Sequence, residues 1–249
     1  MSTTTTAATT RTDPLHDLDA RGAAEHAHVE ALLRCWLRET GTPVAPGPLR
    51  VELPTAGLAL VTEVTHCSPT GWHRFAPARL EGPGGPLGPT ADPVTAVALL
   101  STEAAVRGGS RPGGVPAGEV ADLVERTAES VRRVAAFVSE RRAHPHPPAG
   151  VDGFLDAEQA LLLGHLNHPA PKSRDGISDH DAAAFSPELR GSFRLHWFAA
   201  DASVVSHDAV EGAPSLAGRD TVALLADLAE RRPDDGRILV PAHPWQARD

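Results

Sequence analysis

The sequence predicts an α+β fold from three observations. Long segments carry apolar residues at helical spacing, short strand-like runs stand apart from them, and joints rich in Gly and Pro separate the two kinds. The predicted order is a helical and small antiparallel-sheet region followed by the start of a mixed α/β region. Residues 1–13, rich in Thr and Ala, read as a disordered tail. Over 15–40, Val29, Leu32, Leu33, Trp36 and Leu37 form one apolar stripe, and Gly41 with Pro43 supplies a stop. Segments 49–53, 58–65 and 72–80 read as a meander, with 67–71 as the last turn and Trp72 in the core or on the sheet face. Residues 82–89 read as a loop. Asp92-Pro93 opens a helix that runs to about residue 106. After a second Gly/Pro loop at 108–114, residues 116–142 form the best-patterned helix. Val120, Leu123, Val124, Val131, Val134, Ala135 and Val138 are its buried side, and its Glu and Arg residues form a solvated face. His144 and His146, interrupted by prolines, read as linker rather than metal ligands. Further on come a helix over 152–163, a helix start at 178–181 and a turn at 186–188. A strand over 192–200, a short helix over 221–232 and an apolar strand over 238–240 complete the chain. The proline-rich segment before residue 151 divides a first region, 14–150, from a second, 151–249.

Composition narrows the function classes. A net charge of −9 argues against a nucleic-acid partner, which calls for a basic surface. No apolar run approaches the length of a membrane span, and the N-terminus has no apolar core of a signal peptide, so a cytoplasmic protein without a membrane partner is expected. Cys35 and Cys67 stand apart, which indicates neither a disulfide framework nor a thiolate metal site.

Chemistry concentrates in residues 164–176, Gly-His-Leu-Asn-His-Pro-Ala-Pro-Lys-Ser-Arg-Asp-Gly. Its prolines forbid a helix, and its donors suit a ligand loop. Lys172 is the only lysine of the chain and stands two residues from Arg174. An ammonium beside a guanidinium can grip phosphate or carboxylate oxygens. Two alternatives stand beside that reading. Arg174 pairs with Asp175 or Glu188 in a purely structural loop, or His165 and His168 join Glu158 at a metal, which two neighbouring cations disfavour. No Gly-x-Ser-x-Gly nucleophile elbow is present.

The loop also resembles the Gly-His-Pro-x-His-Pro-x-x-Lys-x-Arg-x-Gly signature of the IucA/IucC family, the siderophore synthetases that work independently of nonribosomal peptide synthetases. Glu158-Gln159 ahead of it, Phe185-Ser186-Pro187-Glu188 with Phe193-Arg194-Leu195-His196-Trp197 after it, and Val240-Pro241-Ala242-His243-Pro244-Trp245-Gln246 follow the family order. Leu166 stands where the signature has its first proline. The resemblance implies a hand-like fold of thumb, fingers and palm, with a thumb-like first region and the start of fingers and palm after it. It also implies a truncated, N-terminal portion, since the family's Ser-x-Arg-Thr motif and magnesium carboxylates are not in this chain.

The implied activity is that of an ATP-dependent ligase. It joins citrate or a dicarboxylate-derived acid to an amine, hydroxylamine or hydroxyl group through an acyl-adenylate. Implied cofactors are ATP and Mg2+, with magnesium ligands outside this chain. Lys172, Ser173 and Arg174 are the expected phosphate contacts, His165 and His168 the expected catalytic donors, and His243 and Gln246 further nucleotide contacts. No residue here is assigned to metal, while Glu158 and Gln159 are expected to orient loop groups. The expected partners beyond small molecules are a second copy of the chain or a companion C-terminal chain. Alone, the chain is expected to be inactive. The alternative is a non-catalytic remnant that binds a partner subunit or a small acid.

Overall fold

The computed structural model describes residues 18–107, 117–205 and 237–248. The expected tail at 1–13, the loop at 108–114 and the helix at 221–232 lie outside these residues. The architecture is α+β, with antiparallel sheet throughout the described strands. Packing divides the chain into two units, Met1–Arg190 and Gly191–Asp249.

The first unit opens with helix α1, Ala20–Thr40. The Asp19 side chain caps it by accepting from the Gly22 N–H at 2.6 Å, and Gly41 ends it in the left-handed region at φ 62°. Strands β1 (Gly47–Leu53) and β2 (Leu58–His66) pair antiparallel, with Val51 opposite Leu60. The strand expected over 72–80 is instead two short strands, β3 (Arg74–Phe75) and β4 (Arg79–Gly82), both paired to β2. Residues 82–89 are not all loop, because β5 (Gly85–Pro86) folds back on β4. Trp72 precedes the strand and is 55% exposed, so it is not a core residue.

Helices α2 (Pro93–Arg107) and α3 (Ala117–Ala143) complete a helical layer over the sheet. Leu33, Leu53, Leu60, Phe75 and Val97 are almost wholly shielded from water and make the centre of the core. Burying each such side chain contributes roughly 1.5–3 kcal/mol, against which backbone ordering must be set. A smaller cluster joins Ala24 of α1 to Val131 and Val134 of α3, with Leu163 packed against it.

Two further differences from the sequence reading bear on the site. Helix α4 spans Gly153–Gln159 and stops before 160–163, because Leu163 leaves it to pack on the α1–α3 cluster. Helix α5 (Asp179–Phe185), capped by Ser178, begins where expected and leads into a 3-10 turn at Pro187–Leu189. In the second unit, strand β6 is only His196–Ala200 and pairs antiparallel with β7, Ile238–Ala242. Residues 192–195 are left out of the strand because β7 pairs no further than His196 opposite Ala242.

Candidate functional site

The loop over 164–176 is irregular, as its prolines require, and its ends turn at glycines of positive φ, 69° at Gly164 and 77° at Gly176. Gly164 has a second reason to be glycine. A Cβ there would stand 2.9 Å from Lys172 Cε, so the lysine stem crosses directly over it.

Lys172 and Arg174 converge on one acid. Lys172 Nζ pairs with Glu188 Oε1, and Arg174 Nη2 donates to both Glu188 oxygens at 2.9 and 3.1 Å. The Glu188 side chain is 2% exposed, against 11% for Lys172 and 27% for Arg174. Arg174 Nη1 also donates to Ser186 Oγ at 2.5 Å. Burial pushes the Glu188 carboxyl up, but the Lys172 hydrogen bond and the charges of Lys172 and Arg174 outweigh it and hold the group below its ordinary range. Two cations against one carboxylate leave a positive excess in an otherwise acidic chain. Asp175 takes no part: it is exposed, with Arg126 at 3.9 Å.

Helix α3 holds the loop backbone. Glu129 Oε2 accepts from the Arg174 N–H at 3.0 Å, and Ser130 Oγ accepts from the Lys172 N–H at 2.9 Å. Arg133 donates to the Ile177 carbonyl and, through Nε, to Glu129 at 2.7 Å. Arg133 is buried, which corrects its assignment to a solvated face. Behind Ser130 stands His28, 2% exposed. Its Nδ1 donates to the Ala24 carbonyl at 2.7 Å, so in the neutral ring Nε2 accepts the Ser130 hydroxyl at 2.8 Å. Desolvation is the main cause that lowers the His28 pKa. A chain of hydrogen bonds thus runs from the Lys172 amide through Ser130 and His28 to the α1 backbone. Sequence reasoning missed Glu129, Ser130, Arg133 and His28; the signal present was their spacing on one side of their helices.

The remaining candidates sit as follows. Ser173 Oγ donates back to the Ala170 carbonyl at 3.2 Å. His165 and His168 are exposed. Their Nδ1 atoms accept from the Asn167 and Ala170 N–H groups at 3.2 and 3.1 Å, which places the proton of each neutral ring on Nε2 as a donor. Gln159 is buried, and Arg141 donates to its backbone carbonyl at 2.7 Å. Its Oε1 has no partner among the described residues, so it does not orient the loop as expected; Glu158 is exposed. In the second unit His243 repeats the pattern, its Nδ1 accepting from the Trp245 N–H at 3.0 Å. The Phe193 ring meets His243 edge-on at 4.3 Å, and Gln246 is exposed at the start of a 3-10 turn. Among the described residues no group of three or more His, Cys, Asp and Glu could hold a metal ion. Nor is any helix there long and apolar enough to cross a membrane.

Comparison with known proteins defines the class. Residues 153–249 match the model of the IucA / IucC family. The chain is 31% identical to the spermidine-citrate ligase of Bacillus anthracis, over 92% of its own length and 42% of the relative's. It is 32% identical to the rhizobactin siderophore biosynthesis protein RhbC of Rhizobium meliloti, over 89% of its length and 40% of that protein's. Its fold superposes on the ATP-bound aerobactin synthetase IucA of Klebsiella pneumoniae with a TM-score of 0.65 and 26% identity, over 93% of this chain and 40% of that one. The chain belongs to the IucA / IucC family. It spans about two fifths of the length of the relatives it matches.

Proposed function

We propose that this chain is part of a siderophore-forming ligase that uses ATP and Mg2+ to join a carboxylate, citrate or a dicarboxylate-derived acid, to an amine or hydroxylamine in the cytoplasm. The observation that carries the reading is the loop at 164–176: two cations held on one buried carboxylate, with a positive excess, and two histidines in the same loop whose Nδ1 atoms accept loop amides and leave Nε2 to a ligand. Such a loop stabilises negative charge as it moves between oxygens when a carboxylate displaces pyrophosphate from the α-phosphorus of ATP. In this reading Lys172, Ser173 and Arg174 face nucleotide phosphates, and His165 and His168 donate to the phosphoryl or acyl oxygen. His243 and Gln246 act as further nucleotide contacts. The names of the relatives, one a citrate ligase and one an ATP-bound synthetase, point the same way. The thumb-like and fingers-like division at residue 150 is part of the same proposal, as is a companion chain or second copy.

The Glu188 pairing itself favours a second reading, in which Lys172 and Arg174 only fasten the turn Pro187–Leu189 to the loop. Citrate-dependent ATP–pyrophosphate exchange tests the first. The 249-residue chain alone is expected to give none, and the chain combined with one supplying the remaining family length is expected to give exchange that Lys172→Ala lowers at least tenfold. Exchange indifferent to Lys172→Ala would leave the structural reading in place.

A further inference from the structure

The first unit contains a cavity of about 640 Å³ that the loop chemistry does not use. It lies between the C-terminal turn of α1, the turn 67–71 with His73, and Asn167. That volume is in the range of small-molecule sites. None of its described lining residues is acidic.

Its walls differ in character. Leu37, Val44 and Cys67 supply an apolar side. Arg34, buried and held by the Glu30 carboxylate at 2.8 Å and the His73 carbonyl at 2.7 Å, fixes the wall. Arg38 is different: it lines the cavity, is exposed, and has no carboxylate partner among the described residues. His73 Nδ1 accepts from the Ser68 N–H at 3.2 Å, so its neutral ring keeps the proton on Nε2. Desolvation, then the charges of Arg34 and His66, lowers the His73 pKa, so the imidazole serves as a neutral donor and Arg38 supplies the charge. The Ser68 and Thr70 hydroxyls, 3.0 Å apart, add adjustable donors at the rim.

We propose that this cavity binds a small organic carboxylate, with one carboxyl group on Arg38 and the hydrocarbon part against Leu37, Val44 and Cys67. The apolar side selects a carboxylate over inorganic phosphate, which has no carbon surface to bury. The guanidinium matches carboxylate geometry and makes charge-assisted hydrogen bonds. Arg34 Nη1 also lies 3.4 Å from the Leu166 carbonyl, so the same wall touches the loop that carries Lys172. The proposal does not depend on what that loop binds.

The test is a titration of the 249-residue chain with succinate, followed by amide and arginine side-chain NMR. Saturable shifts are expected at Arg38 Nε, Thr70, Gly71 and Asn167, with a response at least tenfold weaker to succinamide and to inorganic phosphate. Arg38→Gln, at an exposed side chain, should leave the spectrum folded and weaken succinate binding at least tenfold, and Thr70→Val should weaken it less. No saturable shift in these residues, equal response to succinamide or phosphate, or unaltered affinity in Arg38→Gln would overturn the proposal.

Discussion

At the scale of single residues the decisive group is Glu188, a buried carboxylate shared by the lone lysine and by Arg174. Removing it strands two cations at a partly buried site. Glu188→Ala is expected to destabilise the fold by about 2–4 kcal/mol, below the full cost of breaking a buried pair because Arg174 keeps some contact with water. Urea denaturation measures this, and a change under about 0.5 kcal/mol would show the pair to be idle. The pH dependence follows from the lowered pKa of Glu188. A depressed carboxylate stabilises the fold above its unfolded value of about 4.3, and that contribution is lost as pH falls through the folded value. Acid denaturation of Glu188→Gln should therefore show a shallower loss of stability below about pH 4.3 than the parent chain. The sequence already offered Glu188 as a partner for Arg174. It could not show that Lys172 joins the same carboxylate, because that meeting depends on a 3-10 turn and on the lysine stem crossing Gly164.

At the scale of elements, α3 carries the loop. Its apolar stripe was readable from spacing, and Val131, Val134 and the neighbouring Phe137 are buried. Thr127, Ser130 and Arg133 are buried beside them. Residue type argues for an exposed face at these positions; Ser130 and Arg133 are turned to partners forty or more positions away in the chain, while the Thr127 hydroxyl donates to the Leu123 carbonyl of its own helix. The same limit shortened α4 and β6. Composition continues each element, but packing of Leu163 ends one and the reach of β7 ends the other. Ser130→Ala removes the acceptor of the Lys172 amide and the donor to His28, and is expected to cost about 1–3 kcal/mol. Hydrogen exchange should then lose protection at Lys172 before it does at Leu60 in β2; equal protection in variant and parent would contradict the role given to Ser130. His28 adds a second pH term. Its pKa is lowered on folding, so its neutral form stabilises the protein above about pH 6.5, and that contribution falls away as the pH drops below. Replacement by Gln should flatten the dependence of stability on pH below about 6.5.

At the scale of the whole molecule, an acidic chain with a net charge of −9 keeps its single lysine and a neighbouring arginine fixed on one loop. The order of elements and the place of that loop followed from periodicity and from its prolines. Family membership followed from motif order and agrees with the relatives, of which the chain spans about two fifths. The support beneath the loop did not follow, since it comes from residues whose type alone assigns them no role. The role proposed for the loop is to accept nucleotide phosphates. Titrating the 249-residue chain with ATP and Mg2+ while recording the Lys172 and Arg174 side-chain NMR signals tests this directly. Saturable shifts at both, with Arg38 and Thr70 unmoved, are the predicted result; signals of Lys172 and Arg174 that stay in place while ATP binds elsewhere would contradict it.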